Sequence, residues 1–127
     1  MNEAARAWAD RAEAHIATAL RESQVPGLPH PAAVVQHAHA CVQCALRSIL
    51  AEASVPFPST PHLGILLCLC ADLDPAWEAF RGTLRTLTAR ALDAADPALP
   101  LPAERADEAL RLCRAFLASV PASPLAP

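Results

Sequence analysis

Proline placement constrains the fold of this chain more than any other feature of its sequence. Pro31, Pro61, Pro75 and Pro102 each stand just before a stretch whose apolar residues recur every three or four positions. Proline suits the first turn of an α-helix, where its missing N–H has no intrahelical partner, and it disrupts a helix interior. The prolines therefore mark the starts of four helices, and a further apolar pattern behind Asn2 adds a first one.

Apolar periodicity and capping residues predict how far each helix extends. The first helix is expected to end near Glu22, and Asp96 to Leu101 is expected to form a loop before the last helix. Ser59 or Thr60 is the expected N-cap of the short third helix, and Asp74 is that of the fourth. The predicted helices cover Asn2 to about Glu22, Pro31 through Ile49, about Pro61 to Leu73, Pro75 through Ala91 and Pro102 through Leu117.

Three of these helices carry a clear buried face. The second has a stripe broad enough for about half the helix circumference, which is typical of a helix deep in a core. The fourth has the most regular spacing in the chain. The stripes are Val34, Ala38, Cys41, Ala45 and Ile49, broadened by Val35, Val42 and Leu46, then Trp77, Phe80, Leu84, Leu87 and Ala91, and last Ala106, Ala109, Leu110, Cys113, Phe116 and Leu117.

Composition supports a single helical domain. The chain has 127 residues, of which 54% are hydrophobic and only 4% aromatic. Much of the apolar content is alanine, which favours helix over strand. The sequence therefore predicts an all-α fold, an antiparallel up-down four-helix bundle with one short additional helix over residues 1–120, followed by a disordered proline-rich tail over residues 121–127.

Charge and motif content exclude several classes of function. The net charge of −3 lacks the basic excess of a DNA-binding protein, and the longest apolar run is far shorter than the ~20 residues of a membrane span. No secretory signal pattern opens the chain, so a cytoplasmic location and reduced thiols are expected for the five cysteines. Glycine-rich phosphate loops and nucleophile elbows are absent, so no cofactor and no conventional catalysis are expected.

A cluster of histidines and cysteines raises the alternative of a metal- or thiol-binding bundle. His37, Cys41 and Cys44 lie four and seven residues apart, so they share one helix stripe. A closed site would need a fourth ligand from Cys68, Cys70 or His62. Against this hypothesis, cysteine is often buried as a small apolar side chain, which is the competing interpretation of Cys41, Cys68, Cys70 and Cys113.

Two consecutive segments resemble the central signature of a known family. Residues 38–50 read AHACVQCALRSIL and residues 55–63 read VPFPSTPHL. They are similar to a helix of the type AQQAAEKALKALL and a linker of the type xPFPxTHDL in HEPN domains, the "higher eukaryotes and prokaryotes nucleotide-binding" family. Trp8 near the start and Ala89-Arg90, at the place of an ARYP element, agree with this. The resemblance spans roughly Ala5 to Val120.

The resemblance implies an all-α bundle that commonly forms a homodimer. In prokaryotes such modules often work beside a minimal nucleotidyltransferase, in toxin–antitoxin pairs or as nucleotide-binding accessories. Ribonuclease members carry an Arg followed, after four to six residues, by a His. No such pair exists here, and the nearest, Arg11 and His15, has three intervening residues. The resemblance therefore implies a non-catalytic member.

The chain also departs from the family pattern at other polar positions. Gln43 and Cys44 replace the usual Glu and Lys, Pro61-His62 replaces His-Asp, and Ala91-Leu92 replaces Tyr-Pro. A later Lys is replaced by Arg47. Arg47, Arg90 and His62 remain as the residues expected to bind a nucleotide phosphate or a partner carboxylate, with the two arginines flanking one groove or dimer interface. The alternative is that both arginines are surface charges or interhelix ion pairs.

Overall fold

The computed structural model describes residues 1–25 and 30–120, and the regular elements in these ranges are all helices. Its five α-helices are α1 (Glu3–Ser23), α2 (Pro31–Glu52), α3 (Leu63–Leu73), α4 (Arg81–Ala94) and α5 (Ala103–Ala118), with a 3-10 helix (Pro75–Phe80) before α4. This confirms the predicted all-α class. The predicted tail, residues 121–127, lies outside the described residues.

Helix α2 forms the centre of the molecule. It packs against α1, α3, α4 and α5, and its stripe residues from Val34 to Leu46 are buried as the apolar pattern predicts. Ser54 ends the helix with φ 57°, and the Val55 N–H donates to the Leu50 carbonyl at 2.9 Å. This is a Schellman-type end, in which a left-handed residue closes the last turn. The antiparallel up-down order of the helices remains a prediction.

The capping predictions are confirmed for α1 and for the 3-10 helix. The Asn2 side chain accepts from the Ala5 N–H at 2.8 Å, and the Asp74 side chain accepts from the Ala76 N–H at 3.0 Å. Both contacts satisfy backbone donors that have no intrahelical partner in a first turn. Local sequence signals were sufficient here because a cap involves only residues that are close in the chain.

The predicted start and cap of the third helix are wrong. Helix α3 begins at Leu63 with His62 as its N-cap, and the Thr60 hydroxyl accepts from the His62 N–H at 3.2 Å. The side chains of Gln43 and Arg47 on α2 donate to the carbonyls of Pro61 and Thr60, both at 2.6 Å. These tertiary hydrogen bonds occupy the carbonyls of residues 60 and 61 in an extended connection, so the helix begins after them.

The predicted fourth helix is divided into two parts. Pro75 opens the 3-10 helix, and the α-helix begins only at Arg81. Residues three apart eclipse one another in a 3-10 helix, so Trp77 and Phe80 project from the same side. Both rings contact Phe116 of α5, with ring centroids 6.2 and 5.2 Å apart. The change of helix type thus brings two aromatic side chains onto one buried ring.

Candidate functional site

An open groove lies between α3 and α4. It encloses about 620 Å³, and most of its lining is apolar. Two large apolar side chains beside it face solvent, Ile65 at 45% exposure and Leu92 at 70%. The lining residues are His62, Leu63, Gly64, Ile65, Leu67, Cys68, Arg81, Leu84, Arg85, Thr88, Ala89 and Leu92. We call this feature the α3–α4 groove.

Basic and potentially basic side chains surround this groove. His62 lies at the N-cap of α3, and Arg81 and Arg85 lie one turn apart on α4. Arg81 forms an ion pair with Glu78 at 2.6 Å, and its guanidinium also donates to the Cys68 sulfur at 3.4 Å. The hydrogen bond to Glu78 raises the pKa of Arg81 and lowers that of Glu78. Arg85 forms no ion pair within the described ranges, so it is the cation best placed to receive an anionic ligand.

The sequence analysis singled out one of the three side chains His62, Arg81 and Arg85. His62 was expected at a binding site and does line the groove, whereas Arg81 and Arg85 were not singled out. The available signal was their spacing of four residues, on the side of α4 that also carries the exposed Leu92. Their relevance depends on α3 lying alongside that side of α4, which the spacing alone does not show.

Arg47 lies elsewhere, at the contact of α1 with α2. Its guanidinium donates to the Thr60 carbonyl, and its central carbon lies 5.0 Å from the centroid of the Trp8 ring. The Arg11 guanidinium is also near this ring, at 4.8 Å. Trp8 further contacts Phe57 of the connection, with the ring centroids 6.1 Å apart. Arg47 therefore joins α1, α2 and the connection before α3.

Arg90 forms an interhelix ion pair. Its Nε donates to Glu108 of α5 at 2.5 Å, and Arg105 approaches the same carboxylate at 3.3 Å. The hydrogen bond to Glu108 raises the pKa of Arg90, and the same bond lowers the pKa of Glu108. Arg47 and Arg90 thus have different intramolecular partners, and neither lines the α3–α4 groove. Their role in phosphate binding stays a prediction.

The structure does not assemble the predicted metal-ligand set. The His37 ring contacts the His15 ring of α1, with their Nδ1 atoms 3.0 Å apart. The hydrogen-bonding thiol of Cys113 and burial raise the pKa of Cys41, and burial also raises the pKa of Cys44. Over residues 1–25 and 30–120, no three His, Cys, Asp or Glu side chains are grouped to hold a metal ion. The alternative based on His37, Cys41 and Cys44 therefore has no assembled ligand group behind it in these ranges and stays a hypothesis.

The cysteines differ in their surroundings. All five are free thiols, and Cys41, Cys44, Cys70 and Cys113 are buried, consistent with their use as small apolar side chains. Cys68 is exposed, so the expectation that it fills an apolar interior is wrong. Its position on α3 faces the groove, whereas Cys70, two residues later, points to the core.

Comparison with known proteins identifies one family. A model of the HEPN domain matches residues 5–122, which is nearly the whole chain. Searches of curated proteins and of solved structures found no significant match. In the described ranges, none of the helices has the length and apolar character to cross a membrane. The match agrees with the resemblance carried by residues 38–50 and 55–63 and with the all-helical structure, and the chain therefore belongs to the HEPN domain family.

Proposed function

We propose that this protein is a non-catalytic HEPN module that forms a homodimer through the α3–α4 groove. Its proposed role is that of a cytoplasmic accessory to a nucleotidyltransferase, as in toxin–antitoxin pairs. We further take its helices to form an antiparallel up-down bundle to which α3 is the short addition. The observation that carries the proposal is the pair of exposed apolar side chains, Ile65 and Leu92, beside an apolar groove.

Exposed apolar groups of this size support a binding role. Contiguous apolar surface with a polar edge commonly marks a site of protein association, because its burial removes apolar area from water. Ile65 and Leu92 lie on the two helices that border the groove, so a partner seated between α3 and α4 covers both. Arg85 at the same place supplies a cation for a partner carboxylate.

Light scattering coupled to size-exclusion chromatography tests the dimer. The wild type is expected to elute with about twice the chain mass of 13.4 kDa, and the double variant Ile65→Glu/Leu92→Glu is expected to elute as a monomer with unchanged helix content. Leu99→Glu is the matched control, because Leu99 is 47% exposed in the α4–α5 loop, away from the groove. A monomeric wild type, or a control that also dissociates, contradicts the proposal.

A nucleotide is the second candidate ligand for the same groove. The observation in its favour is the set of His62, Arg81 and Arg85 around a volume that falls within the range of small-molecule sites, about 300–1,000 Å³. Titration calorimetry with ATP is expected to show binding that Arg85→Ala weakens at least tenfold. Arg47→Ala and Arg90→Ala serve as matched variants. Loss of binding in these two but not in Arg85→Ala would favour the residues predicted from sequence.

The absence of ribonuclease activity is part of the proposal. The printed sequence has no arginine followed by histidine after four to six residues. A positioned cation and a proton-transfer group are both needed to stabilise and cleave a phosphodiester. Labelled RNA incubated with the purified protein is expected to remain intact. Cleavage that co-purifies with the protein and disappears in a His15→Ala variant would contradict the proposal.

A further inference from the structure

Helices α1 and α2 meet at a pair of histidine rings that the proposed function does not use. The Nδ1 atoms of His15 and His37 are 3.0 Å apart, and the ring centroids are 5.3 Å apart. The distance between the ring centroids exceeds the distance between the Nδ1 atoms by about twice the distance from a ring centre to its nitrogen. The two Nδ1 atoms therefore lie nearly on the line that joins the ring centres. This is the arrangement of an N–H···N hydrogen bond.

This hydrogen bond limits how many protons the pair holds. In the neutral pair, one Nδ1 carries a hydrogen and the other presents its lone pair. One added proton leaves that arrangement intact, because a lone pair remains on one Nδ1. A second added proton places two N–H groups against each other and two positive charges at the same contact. The closed pair therefore accepts one proton readily and resists the next, as coupled groups do.

The surroundings of the pair also oppose a second charge. Burial lowers the pKa of His15, with further lowering by His37 and by the Arg11 guanidinium on α1. Helix α5 touches α1 lightly, and no side chain of α5 is among the groups that shift the pKa of His15. From α2, the ionisable side chain one turn from His37 is Cys41, whose thiol stays protonated. The charges that act on His15 are thus positive.

Helix α1 packs against the core through small, fully buried side chains and through the half-buried Trp8 and Ile16. Its fully buried side chains are all alanines, Ala5, Ala9, Ala12 and Ala19. Its polar links to α2 are the hydrogen bond from the Ser48 hydroxyl to the Ala5 carbonyl and those of Asn2 with the Ala51 carbonyl and the Glu52 carboxylate, each at 2.8 Å. Because each alanine buries few carbon atoms, these polar contacts add to the apolar packing that holds α1 against α2.

We propose that the His15–His37 pair is an acid-sensitive latch that holds α1 against α2 at neutral pH and releases α1 when both rings are protonated. Released α1 exposes both imidazoles to water, where each binds a proton independently. The open state then carries one proton more than the closed state. Well below pH 6.5, the equilibrium constant for the opening of α1 is therefore expected to rise by close to tenfold for each further unit that the pH falls.

Hydrogen–deuterium exchange, resolved by helix and corrected for the intrinsic pH dependence of exchange, measures this opening. Between pH 7.5 and 5.0 the amides of α1 are expected to lose protection by more than tenfold, while those of α5 change little. His39 lies near His62 at the start of α3. An effect of His39 protonation is therefore expected in the exchange of the α3 amides, which is measured separately from that of α1. A pH-independent opening of α1 overturns the proposal.

Two variants isolate the pair. His37→Gln removes one titrating ring and its contact with His15, whereas burial and Arg11 still act on His15, so the pH dependence of α1 opening is expected to become clearly weaker than in the wild type. His30→Gln is the matched control, since the His30 side chain is exposed and makes no cap hydrogen bond, and it is expected to behave as the wild type. A His37→Gln protein that keeps the wild-type slope overturns the latch.

Histidine NMR on the wild type tests the same idea without a substitution. The Cε1–H signal of His15 is expected to titrate in two steps, the second below the ordinary histidine range, because burial, His37 and Arg11 lower the pKa of His15. Single overlapping steps near pH 6.5 overturn the proposal, because they show two rings that do not share a proton.

Discussion

At the scale of single residues, polar side chains of α2 act on neighbouring segments rather than on α2 itself. Gln43 and Arg47 donate to backbone carbonyls of the connection before α3, and Ser48 donates to a backbone carbonyl of α1. The apolar stripe of α2 was predictable from its sequence, because it needs only a helical period. The polar partners were not, because each lies more than ten residues away and depends on how the helices are placed.

His39 provides a prediction at this scale. Burial lowers its pKa to about 4, with a further contribution from His62. Above about pH 6.5 the His39 ring is neutral in both the folded and the unfolded protein, so its full contribution to the free energy of unfolding is present. As the pH falls from 6.5 towards 4, the unfolded chain binds a proton that the folded protein resists, so stability is lost. This loss is expected to be about 1–2 kcal/mol at pH 5.

Urea unfolding of the wild type and of His39→Leu at pH 7.5 and 5.0 measures this loss. The difference between the two pH values is expected to be smaller in His39→Leu by that amount, and the His15–His37 contribution cancels because both proteins contain the pair. His30→Gln should retain the wild-type difference, since His30 is exposed. Equal acid sensitivity in His39→Leu and the wild type would show that His39 does not titrate as its burial requires.

At the scale of helices, the boundaries governed by local chemistry were predictable and those governed by tertiary contacts were not. Asn2 and Asp74 cap their helices through residues two or three positions away. The start of α3 depends on α2, and the 3-10 helix before α4 depends on Phe116 of α5. The spacing of three residues between Trp77 and Phe80 fits an α-helix as well as a 3-10 helix, so periodicity alone did not distinguish the two helix types.

The alanine face of α1 yields a prediction for a whole element. Ala12 is fully buried against α2 and the core, so Ala12→Leu inserts three carbon atoms where the helices already touch. Overpacking of this kind costs about 1–3 kcal/mol. Exchange measurements are expected to show lost protection in α1 while α4 and α5 remain protected.

Ala7→Leu is the matched control for this experiment. Ala7 lies on the exposed side of the same helix, and leucine has nearly the helix propensity of alanine. This variant is expected to change stability by less than about 0.5 kcal/mol. Comparable loss of α1 protection in both variants would mean that the effect does not arise at the contact with α2.

At the scale of the whole molecule, α2 links the parts into one cooperative unit. It contacts all four other α-helices, and Leu46 on it is fully buried. Leu46→Ala is expected to destabilise the fold by about 2–5 kcal/mol, through lost transfer energy and the cavity that remains. Because the cavity lies in the shared core, exchange protection should fall in every helix.

Chemical denaturation followed by circular dichroism measures this cost. Leu99→Ala, at a 47% exposed position away from the α3–α4 groove, is the control and is expected to stay within about 0.5 kcal/mol of the wild type. A small effect of Leu46→Ala, or one confined to a single helix, would contradict a core organised around α2.

The sequence alone determined the helical class, the family and most helix limits, because prolines, caps and apolar periods act within a few residues. It also singled out His62, which lines the α3–α4 groove. Only the tertiary structure decided which polar groups meet: His15 with His37, Arg90 with Glu108, and His62 with Arg81 and Arg85 at one groove. The physical reason is that such contacts depend on the rotation and spacing of packed helices, which the pattern of a single helix does not encode.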